Sequence, residues 1–304
     1  MKKQTVIVIT GPTASGKSAL AVELAKRLDT EIVSADSRQI YRGIPIVTAV
    51  PDEEEKQDIT HHFLEILPLD AYYSAAMFEE EAINKVQNIL KTHDTAVVCG
   101  GSMMYVDAFC HGIDEIPTVP DNLRQSLMEE WREKGDEWLL SRLRELDSLH
   151  YEKVDRKNMK RVFHAVEVSM TAGKPYSSLL VNAKKERPFE IIKVFLDGER
   201  PELFHRINTR VERMMEKGLE GEARSVYDLR HLNSLNTVGL KEMFAWFDGT
   251  FTKEEAVARI QKNTRVYAKK QITWYKNSND LLRLNFSASP MENAEYLIKN
   301  HIQW

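Results

Sequence analysis

Cysteine is scarce in this chain of 304 residues, which has only Cys99 and Cys110. These two form no Cys-x-x-Cys pair, so the sequence excludes a disulfide framework and a cysteine-rich zinc site. Long apolar runs are lacking too, since no stretch approaches the roughly 18 residues that a membrane span needs. The apolar run at 5–9 is too short for a signal peptide, and no cleavage site follows it. We therefore expect a soluble, cytoplasmic protein without a membrane partner.

An excess of one charge is also lacking. Lysine and arginine total 42 against 46 acidic residues, and the formal net charge is −4. This balance excludes a uniformly basic nucleic-acid coat but leaves room for a local basic face. A hydrophobic content of 42% with 29% charged residues is typical of a globular chain that buries a core.

The order of strand-like and helix-like segments predicts an α/β fold. Short runs rich in β-branched and other apolar residues, separated by helical patterns, predict parallel strands covered on both faces; they lie at 5–10, 31–34, more weakly 62–66, and 95–99. After Pro117 and Pro120 only helical periodicity continues, from 121 to 182, and strand character returns at 190–196. We predict a core with a parallel sheet, formed by 1–116 and 188–304, and an inserted all-helical domain at 117–187.

A long amphipathic helix is predicted at 201–217. Its apolar side carries Leu203, Ile207 and Val211, and another side carries Arg206, Arg210 and Arg213. Since pairs such as Glu202 with Arg206 stabilise exposed helices, we interpret most of this arginine stripe as a solvated face.

The first strand runs into a phosphate-binding loop. The pattern G-x-x-x-x-G-K-[ST] is formed by Gly11, Pro12, Thr13, Ala14, Ser15, Gly16, Lys17 and Ser18. Glycines let the backbone N–H groups face inward at the positive end of the next helix. Lys17 adds a cation, and the Ser18 hydroxyl can hold Mg²⁺. The core is therefore predicted to be P-loop NTPase-like and to bind a di- or triphosphate.

Asp36 is the candidate acid of this site. A hydrolysing P-loop ATPase usually has a carboxylate at a strand end to hold the metal, but the strand at 95–99 runs into Gly-Gly-Ser. Because parallel strands bring their carboxyl ends to one edge, Asp36, Ser102 and the loop should share one crevice. Asp36 could bind a metal there or act as a general base. An equally weighted alternative is that Asp36 only caps a helix.

Two basic clusters favour contact with a nucleic-acid backbone. The segment 256–276 carries six positive charges and no acid, interleaved with Tyr267, Trp274 and Tyr275. The second cluster consists of Lys153, Arg156, Lys157, Lys160 and Arg161. Either cluster alone could be an ordinary solvated helix face.

The ordered combination of motifs resembles the bacterial tRNA dimethylallyltransferases. To the P-loop the chain adds Asp36-Ser-x-Gln39-x-Tyr41 and Gly100-Gly-Ser-x-x-Tyr105. Further on come Val238-Gly-x-Lys241-Glu242 and Ala268-Lys-Lys-Gln271-Ile-Thr-Trp274. The resemblance extends from Gly11 to Trp274, and apart from the P-loop its specificity lies in the order of the motifs.

This resemblance implies transfer of a dimethylallyl group from dimethylallyl diphosphate to N6 of adenosine 37 in the tRNA anticodon loop. The P-loop, with Mg²⁺ near Ser18, would hold the leaving diphosphate, assisted by Lys17 and by Arg224 in Gly221-Glu-Ala-Arg224. Asp36 would accept the proton of the amine, and Ser102 would help to place the reacting groups. The adenosine would flip into a channel through the core.

The resemblance also implies a set of tRNA contacts: Asp36, Ser37, Arg38, Gln39, Lys160, Arg161, His164, Lys241, Arg265, Lys269, Lys270, Gln271 and Trp274. Three positions depart from the family pattern. Met159 and His164 stand where proline and arginine are expected, and Leu240 stands where an aromatic is common. A histidine is charged only near or below its usual pKa of about 6.5. Of these departures, the histidine at 164 therefore weakens the expectation of a contact with a tRNA phosphate most directly.

Three alternatives remain from the residues. A small-molecule or nucleotide kinase would share the P-loop but would not need two basic clusters. A prenyl transferase acting on free adenine nucleotides would share the P-loop and Asp36 but not the inserted domain. A non-catalytic RNA-binding protein would give Lys17 and Asp36 no role. We expect the chain to act as a monomer.

Overall fold

The structure is a computed structural model that describes residues 4–181 and 184–302. Its centre is a six-stranded sheet in which every pairing is parallel. The strands are β1 (Thr5–Thr10), β2 (Ile32–Ser34), β3 (His61–His62), β4 (Thr95–Cys99), β5 (Glu190–Asp197) and β6 (Leu282–Asn285). Their order across the sheet is β3-β2-β4-β1-β5-β6. The predicted α/β fold with a P-loop core is confirmed, although the third strand is shorter than the predicted 62–66.

Alternation along β1 explains why this sheet is covered on both faces. Val6 and Val8 belong to one buried cluster, whereas Ile7 and Ile9 belong to another. Because successive strand residues point to opposite faces, each face packs against its own helices. With all four side chains fully buried, β1 lies in the core of the first unit, and the loop after it starts from this core.

Helices cover the sheet in the first compact unit, Met1–His111 with Glu186–Trp304. Before the insertion they are α1 (Lys17–Leu28), α2 (Pro45–Thr48), α3 (Glu53–Lys56), α4 (Ala75–Ile89) and α5 (Met103–His111). Those after it, numbered from α10 because the described part of the insertion contains four helices, are α10 (Arg200–Glu216), α11 (Leu219–Ser225), α12 (Leu240–Phe247), α13 (Lys253–Trp274) and α14 (Pro290–His301).

The second compact unit, Gly112–Lys185, is helical where the structure describes it. Its helices are α6 (Asp121–Leu146), α7 (Ser148–Lys153), α8 (Met159–Ala172) and α9 (Tyr176–Leu179). Leu127, Leu139 and Leu143 of α6 pack with Val162 and Val166 of α8 in a separate small core. The sequence predicted the insertion over 117–187; residue 182, where the predicted helical region ends, lies outside the described residues.

In the described ranges, no helix is both long and apolar enough to cross a membrane.

Candidate active site

The P-loop joins β1 to α1 in a conformation that its glycines make possible. Gly11 has φ +149°, and a Cβ there would lie 2.9 Å from the Leu196 carbonyl oxygen. Gly16, the N-cap of α1, has φ +86°. Between them, Ser15 N–H donates to the Pro12 carbonyl oxygen at 3.3 Å. The loop therefore ends at the N-terminus of a 12-residue helix, where unpaired N–H groups favour an anion.

Lys17 brings a cation to this loop, and its burial there lowers the pKa of the ammonium group. Its Nζ donates to the Pro12 carbonyl oxygen at 2.8 Å. The pKa of the Lys17 ammonium is lowered to about 8, mainly by burial; the neighbouring Arg210 guanidinium acts in the same direction, and Asp36 acts in the opposite one. An anion bound here would reverse the desolvation cost, since it favours the charged form.

Arg210 is the second cation of the loop. It lies on α10, and its Nη1 donates to Thr13 Oγ1 at 3.1 Å. Burial also lowers the pKa of Arg210, and Asp36 opposes that shift; the group nevertheless stays charged because a guanidinium is not deprotonated in proteins. The interpretation of the α10 arginines as a solvated face is thus wrong for Arg210, which faces the P-loop.

Arg224, the arginine implied by the resemblance, lies elsewhere. Its guanidinium pairs with Glu220 at 3.0 Å on the exposed side of α11. It also stacks 4.3 Å from the Phe247 ring centroid and 5.4 Å from that of Trp246. Within the described chain it is outside the set of residues that line the P-loop cleft. The structure therefore does not bring Arg224 to the P-loop, where the resemblance implied it, because α11 turns it toward an aromatic surface.

Asp36 lies in a turn just beyond β2 and faces the same cleft as Lys17. Its Oδ1 accepts from Arg38 N at 2.9 Å and from Gln39 N at 3.3 Å. In the part of the chain that the structure describes, its Oδ2 has no hydrogen-bond partner. One oxygen therefore caps the turn, as the structural alternative expected, and the other remains available for chemistry.

Ser102 ties the end of β4 to this turn. Its Oγ accepts from Ser37 N at 2.8 Å and donates to Ser37 Oγ at 3.1 Å. Gly100 lies so close to β2 that a Cβ there would be 2.1 Å from the Ala35 carbonyl oxygen. The predicted meeting of Asp36, Ser102 and the P-loop at one sheet edge is thus what the structure shows.

These groups line a cleft of about 1960 Å³ in the first unit. Besides the P-loop and the Asp36 turn, its walls come from α10, α12 and α13. A ligand cavity for a drug-sized molecule has about 300–1,000 Å³, so this cleft is larger than a pocket for one such molecule.

Seven of the residues predicted to contact tRNA line the cleft: Asp36, Ser37, Arg38, Gln39, Lys241, Lys270 and Gln271. Two of them have their side-chain amides occupied by the protein. Gln39 Nε2 donates to Ala49 O at 2.7 Å, and Gln271 is 1% exposed with both amide atoms hydrogen-bonded.

Three predicted tRNA contacts on α13 point elsewhere. Arg265 Nη1 donates to Asn208 Oδ1 at 2.5 Å, and Lys269 Nζ lies 5.4 Å from the Phe204 ring centroid. Trp274 Nε1 donates to Asp107 Oδ2 at 2.7 Å while the residue stays 49% exposed. The basic residues of α13 therefore do not all lie on the face of the helix that lines the cleft.

The remaining predicted contacts, Lys160, Arg161 and His164, lie on the exposed side of α8 in the second unit. His164 Nδ1 lies 2.9 Å from Glu167 Oε1. Arg124 holds the same buried carboxylate through its Nε at 2.8 Å and its Nη2 at 2.9 Å. Glu167 thus fixes the orientation of His164 on the surface of this unit.

The sequence reasoning missed Arg210 and Tyr267 as members of the site. Tyr267 lines the cleft, and its hydroxyl lies 3.4 Å from the Gly101 carbonyl oxygen. A sequence signal for Arg210 existed, since its helix follows the strand predicted to return to the P-loop sheet. The apolar stripe of that helix, however, does not say which of its arginines turns toward the loop.

The donor set suits a magnesium ion shared with a phosphate ligand. Among residues 4–181 and 184–302, no cluster of three or more histidine, cysteine, aspartate or glutamate side chains could hold a metal alone. Ser18, in the first turn of α1, exposes its hydroxyl to the cleft. Mg²⁺ is commonly bound through one or two protein oxygens together with substrate phosphates and water, so these residues fit it.

Comparisons with known proteins agree with this geometry. Residues 39–278 match the family model described as IPP transferase. The chain is 49% identical to tRNA dimethylallyltransferase 2 of Parabacteroides distasonis over 91% of this chain and 93% of the relative. It is 48% identical to tRNA dimethylallyltransferase 1 of Phocaeicola vulgatus over 91% of this chain and 93% of the relative.

Two solved structures have similar folds. A tRNA isopentenylpyrophosphate transferase from Bacillus halodurans is 31% identical, covers 98% of this chain and 96% of its own, and has a TM-score of 0.71. A eukaryotic dimethylallyltransferase acting on tRNA is 24% identical, covers 97% of this chain and 78% of its own, and has a TM-score of 0.83. This second similarity shows a shared fold only. From the family match and the identities to its relatives, the chain belongs to the IPP transferase family.

Proposed function

We propose that this chain transfers a dimethylallyl group from dimethylallyl diphosphate to N6 of adenosine 37, beside the tRNA anticodon, and releases diphosphate. The observation that carries the proposal is the meeting of a cationic P-loop with Asp36 and Ser102 in one cleft. Family membership and the names of the relatives favour this reaction over a kinase and over prenylation of free nucleotides. The enzyme would act as a monomer in the cytoplasm.

The first half of the cleft is suited to a leaving diphosphate. As the allylic C–O bond breaks, negative charge grows on the diphosphate oxygens. The P-loop N–H groups, Lys17 and Arg210 are already oriented toward that position, so they stabilise the charge without reorganisation. Ser18 would hold Mg²⁺, which would neutralise part of the diphosphate charge when bound.

The second half is suited to an amine acceptor. The exocyclic N6 of adenine is a weak nucleophile whose proton must leave as the N–C bond forms. Asp36 Oδ2 can accept that proton, because Oδ1 is already held by the N–H groups of Arg38 and Gln39. Ser102 fixes the turn through Ser37. The proton therefore moves to Asp36 as the electron pair of the broken C–O bond leaves with diphosphate.

The macromolecular acceptor is proposed from the family and from charge. A stacked loop base cannot reach a P-loop, so adenosine 37 would have to leave its stack and enter the cleft. The exposed Lys241 and Lys270 at the cleft would attract the RNA backbone. Lys160, Arg161 and His164 on the second unit are proposed as further contacts.

The test is a measurement of diphosphate release and of prenyl transfer in the presence of Mg²⁺. Dimethylallyl diphosphate is incubated with unmodified tRNA, with AMP or without an acceptor, and ATP is tried in parallel as a donor. We expect release only with tRNA, with the label at adenosine 37. Release with AMP alone would show a free-nucleotide enzyme, and phosphate transfer from ATP would show a kinase.

Asp36→Asn tests the role of the carboxylate in the same assay. The amide keeps an oxygen that can cap the turn but cannot accept the proton, so we expect turnover to fall by about 10²–10⁴-fold. The Kd for tRNA should stay within about twofold, by filter binding. Asp70→Asn, at an exposed position, is the matched control, and wild-type turnover in Asp36→Asn would remove Asp36 from catalysis.

A further inference from the structure

Gln271 bridges the two halves of the cleft. Its Oε1 accepts from Thr13 N in the P-loop at 2.8 Å, and its Nε2 donates to the Gly101 carbonyl oxygen at 2.8 Å. The side chain is 1% exposed. Since a backbone N–H can only donate and a carbonyl can only accept, these partners fix the orientation of the amide.

The amide stands where the sheet's own hydrogen bonds end. β1 and β4 are paired up to Ile9 with Cys99, and Gly100 N donates to Ile9 O at 3.0 Å. Beyond this point the two loops separate, and the Gln271 amide connects them in the manner of a peptide group. The space is tight, because a Cβ on Gly101 would lie 2.7 Å from Gln271 Nε2. The length of the glutamine side chain therefore sets the distance between the loops.

One end of this bridge lies on the side of the diphosphate donor, and the other end lies on the side of the amine acceptor. On the donor side, Thr13 also receives the hydrogen bond from Arg210. On the acceptor side, Gly101 precedes Ser102, whose Oγ holds the Ser37 backbone in the Asp36 turn. A continuous path of hydrogen bonds and backbone thus runs from Arg210 at the P-loop to the turn that carries Asp36.

We infer that Gln271 is a positioning residue that sets the distance between the diphosphate loop and the Asp36–Ser102 acceptor turn, and that it does not contact tRNA. This inference rests on the proposed function. It replaces the tRNA contact that the sequence predicted for this residue. Its physical basis is that both polar atoms of the side chain are hydrogen-bonded within the protein and the residue is only 1% exposed, so an RNA group has no access to them.

The central test is single-turnover prenylation by Gln271→Met and Gln271→Glu at saturating donor and tRNA. Methionine keeps the side-chain length without the two hydrogen bonds. Because a displacement of about 1 Å can cost about 10²-fold in rate, we expect Gln271→Met to lose about 10–10²-fold. The Kd values for tRNA and for the donor should stay within about threefold. Gln261→Met, on the same helix but hydrogen-bonded to exposed Glu212 at 3.5 Å, is the matched control.

Gln271→Glu adds a signature that a merely structural role would not produce. A protonated carboxyl group can accept from Thr13 N and donate to Gly101 O as the amide does, whereas a carboxylate cannot donate. The rate relative to wild type at the same pH should therefore rise by about fivefold or more from pH 8 to pH 6. Other titratable groups nearby are Lys17, Asp36, Tyr267 and, through Thr13, Arg210; they are present in both proteins and cancel in the ratio.

The outcomes separate the inference from the proposed function. A wild-type enzyme that fails to prenylate tRNA would remove the proposed function itself. An active wild type with Gln271→Met and Gln271→Glu at unchanged rates would overturn the inference alone. So would a raised Kd for tRNA with a normal rate at saturation, which would restore Gln271 as an RNA contact. Thermal denaturation of both variants checks that they are folded, and a wild-type Tm with the expected rate loss and pH signature supports the inference.

Discussion

At the scale of single residues, two arginines on consecutive helices have opposite surroundings. Arg210 donates to Thr13 in the P-loop, whereas Arg224 pairs with Glu220 and stacks on Phe247. A charge that must be present as the leaving group departs has to be held near it in advance. Only the first arginine meets that condition.

Arg210→Gln should therefore lower kcat by about 10²–10³-fold, in the range seen when a donor to a developing anion is removed. Arg224→Gln is the matched control and should keep kcat within about twofold. Its exposed stacking contributes about 0.5–1 kcal/mol of stability at most. Steady-state prenylation of tRNA measures kcat for both variants. A larger loss of kcat in Arg224→Gln than in Arg210→Gln would mean that Arg224, and not Arg210, stabilises the leaving group.

The lowered pKa of Lys17 predicts the pH dependence of donor binding. The ammonium is charged below its pKa of about 8 and loses its charge above it. Since the diphosphate favours the charged form, the Kd for the donor should be level below pH 8 and should rise above it, by up to tenfold per pH unit. Direct titration of the donor at pH 7–10 measures this. In Lys17→Met the break near pH 8 should disappear; a break that persists would belong to another group.

At the scale of elements, α13 has a cleft side and a side turned away from it. Ile260, Asn263, Tyr267, Lys270 and Gln271 line the cleft. Their spacing of three or four residues is that of one helical face. Although the sequence shows one uninterrupted basic segment, Arg265 and Lys269 contact Asn208 and Phe204 of α10 instead.

This division predicts unequal contributions of two exposed lysines of α13 to tRNA binding. Lys270→Ala should weaken binding and reduce the slope of log K against log salt by about 0.7–0.9, the value for one lost phosphate contact. Lys262→Ala, exposed on the same helix and outside the cleft lining in the described chain, should leave the slope unchanged. Filter binding over a salt series would measure both. Equal slopes would place the RNA on the other side of α13.

At the scale of the whole molecule, the chain forms two compact units with separate cores. The first carries the P-loop, the Asp36 turn and α13, so all groups assigned to the chemistry lie in one unit. The second presents Lys160 and Arg161 on α8, held on a core around Leu139 and Val162. Its proposed role is therefore to bind RNA and not to take part in the reaction.

The double variant Lys160→Ala/Arg161→Ala tests that division. We expect a weaker affinity for tRNA and a salt slope lowered by about 1.4–1.8, twice the value per phosphate contact. The rate at saturating tRNA should stay within about threefold. Lys134→Ala, which removes an exposed lysine paired with Glu130 in the same unit, is the control. An unchanged slope in the double variant would exclude these two residues as backbone contacts.

Much of the site could be predicted from the sequence because its signals are local. The P-loop needs glycines, a lysine and a serine at fixed spacing, and the parallel strands bring Asp36 and Ser102 to its edge. The apolar runs of β1 and β4 predicted their burial on both faces. These features depend on neighbours in the chain and on general rules of sheet geometry.

The α/β core, the phosphate loop and the family resemblance follow from the sequence alone, whereas the distant side chains that complete the site are known only from the folded chain. Arg210 and Gln271 reach Thr13 across separations of 197 and 258 residues. The direction of such a side chain depends on how its helix is rotated against the sheet. That rotation is set by packing of the whole core, which no local pattern records.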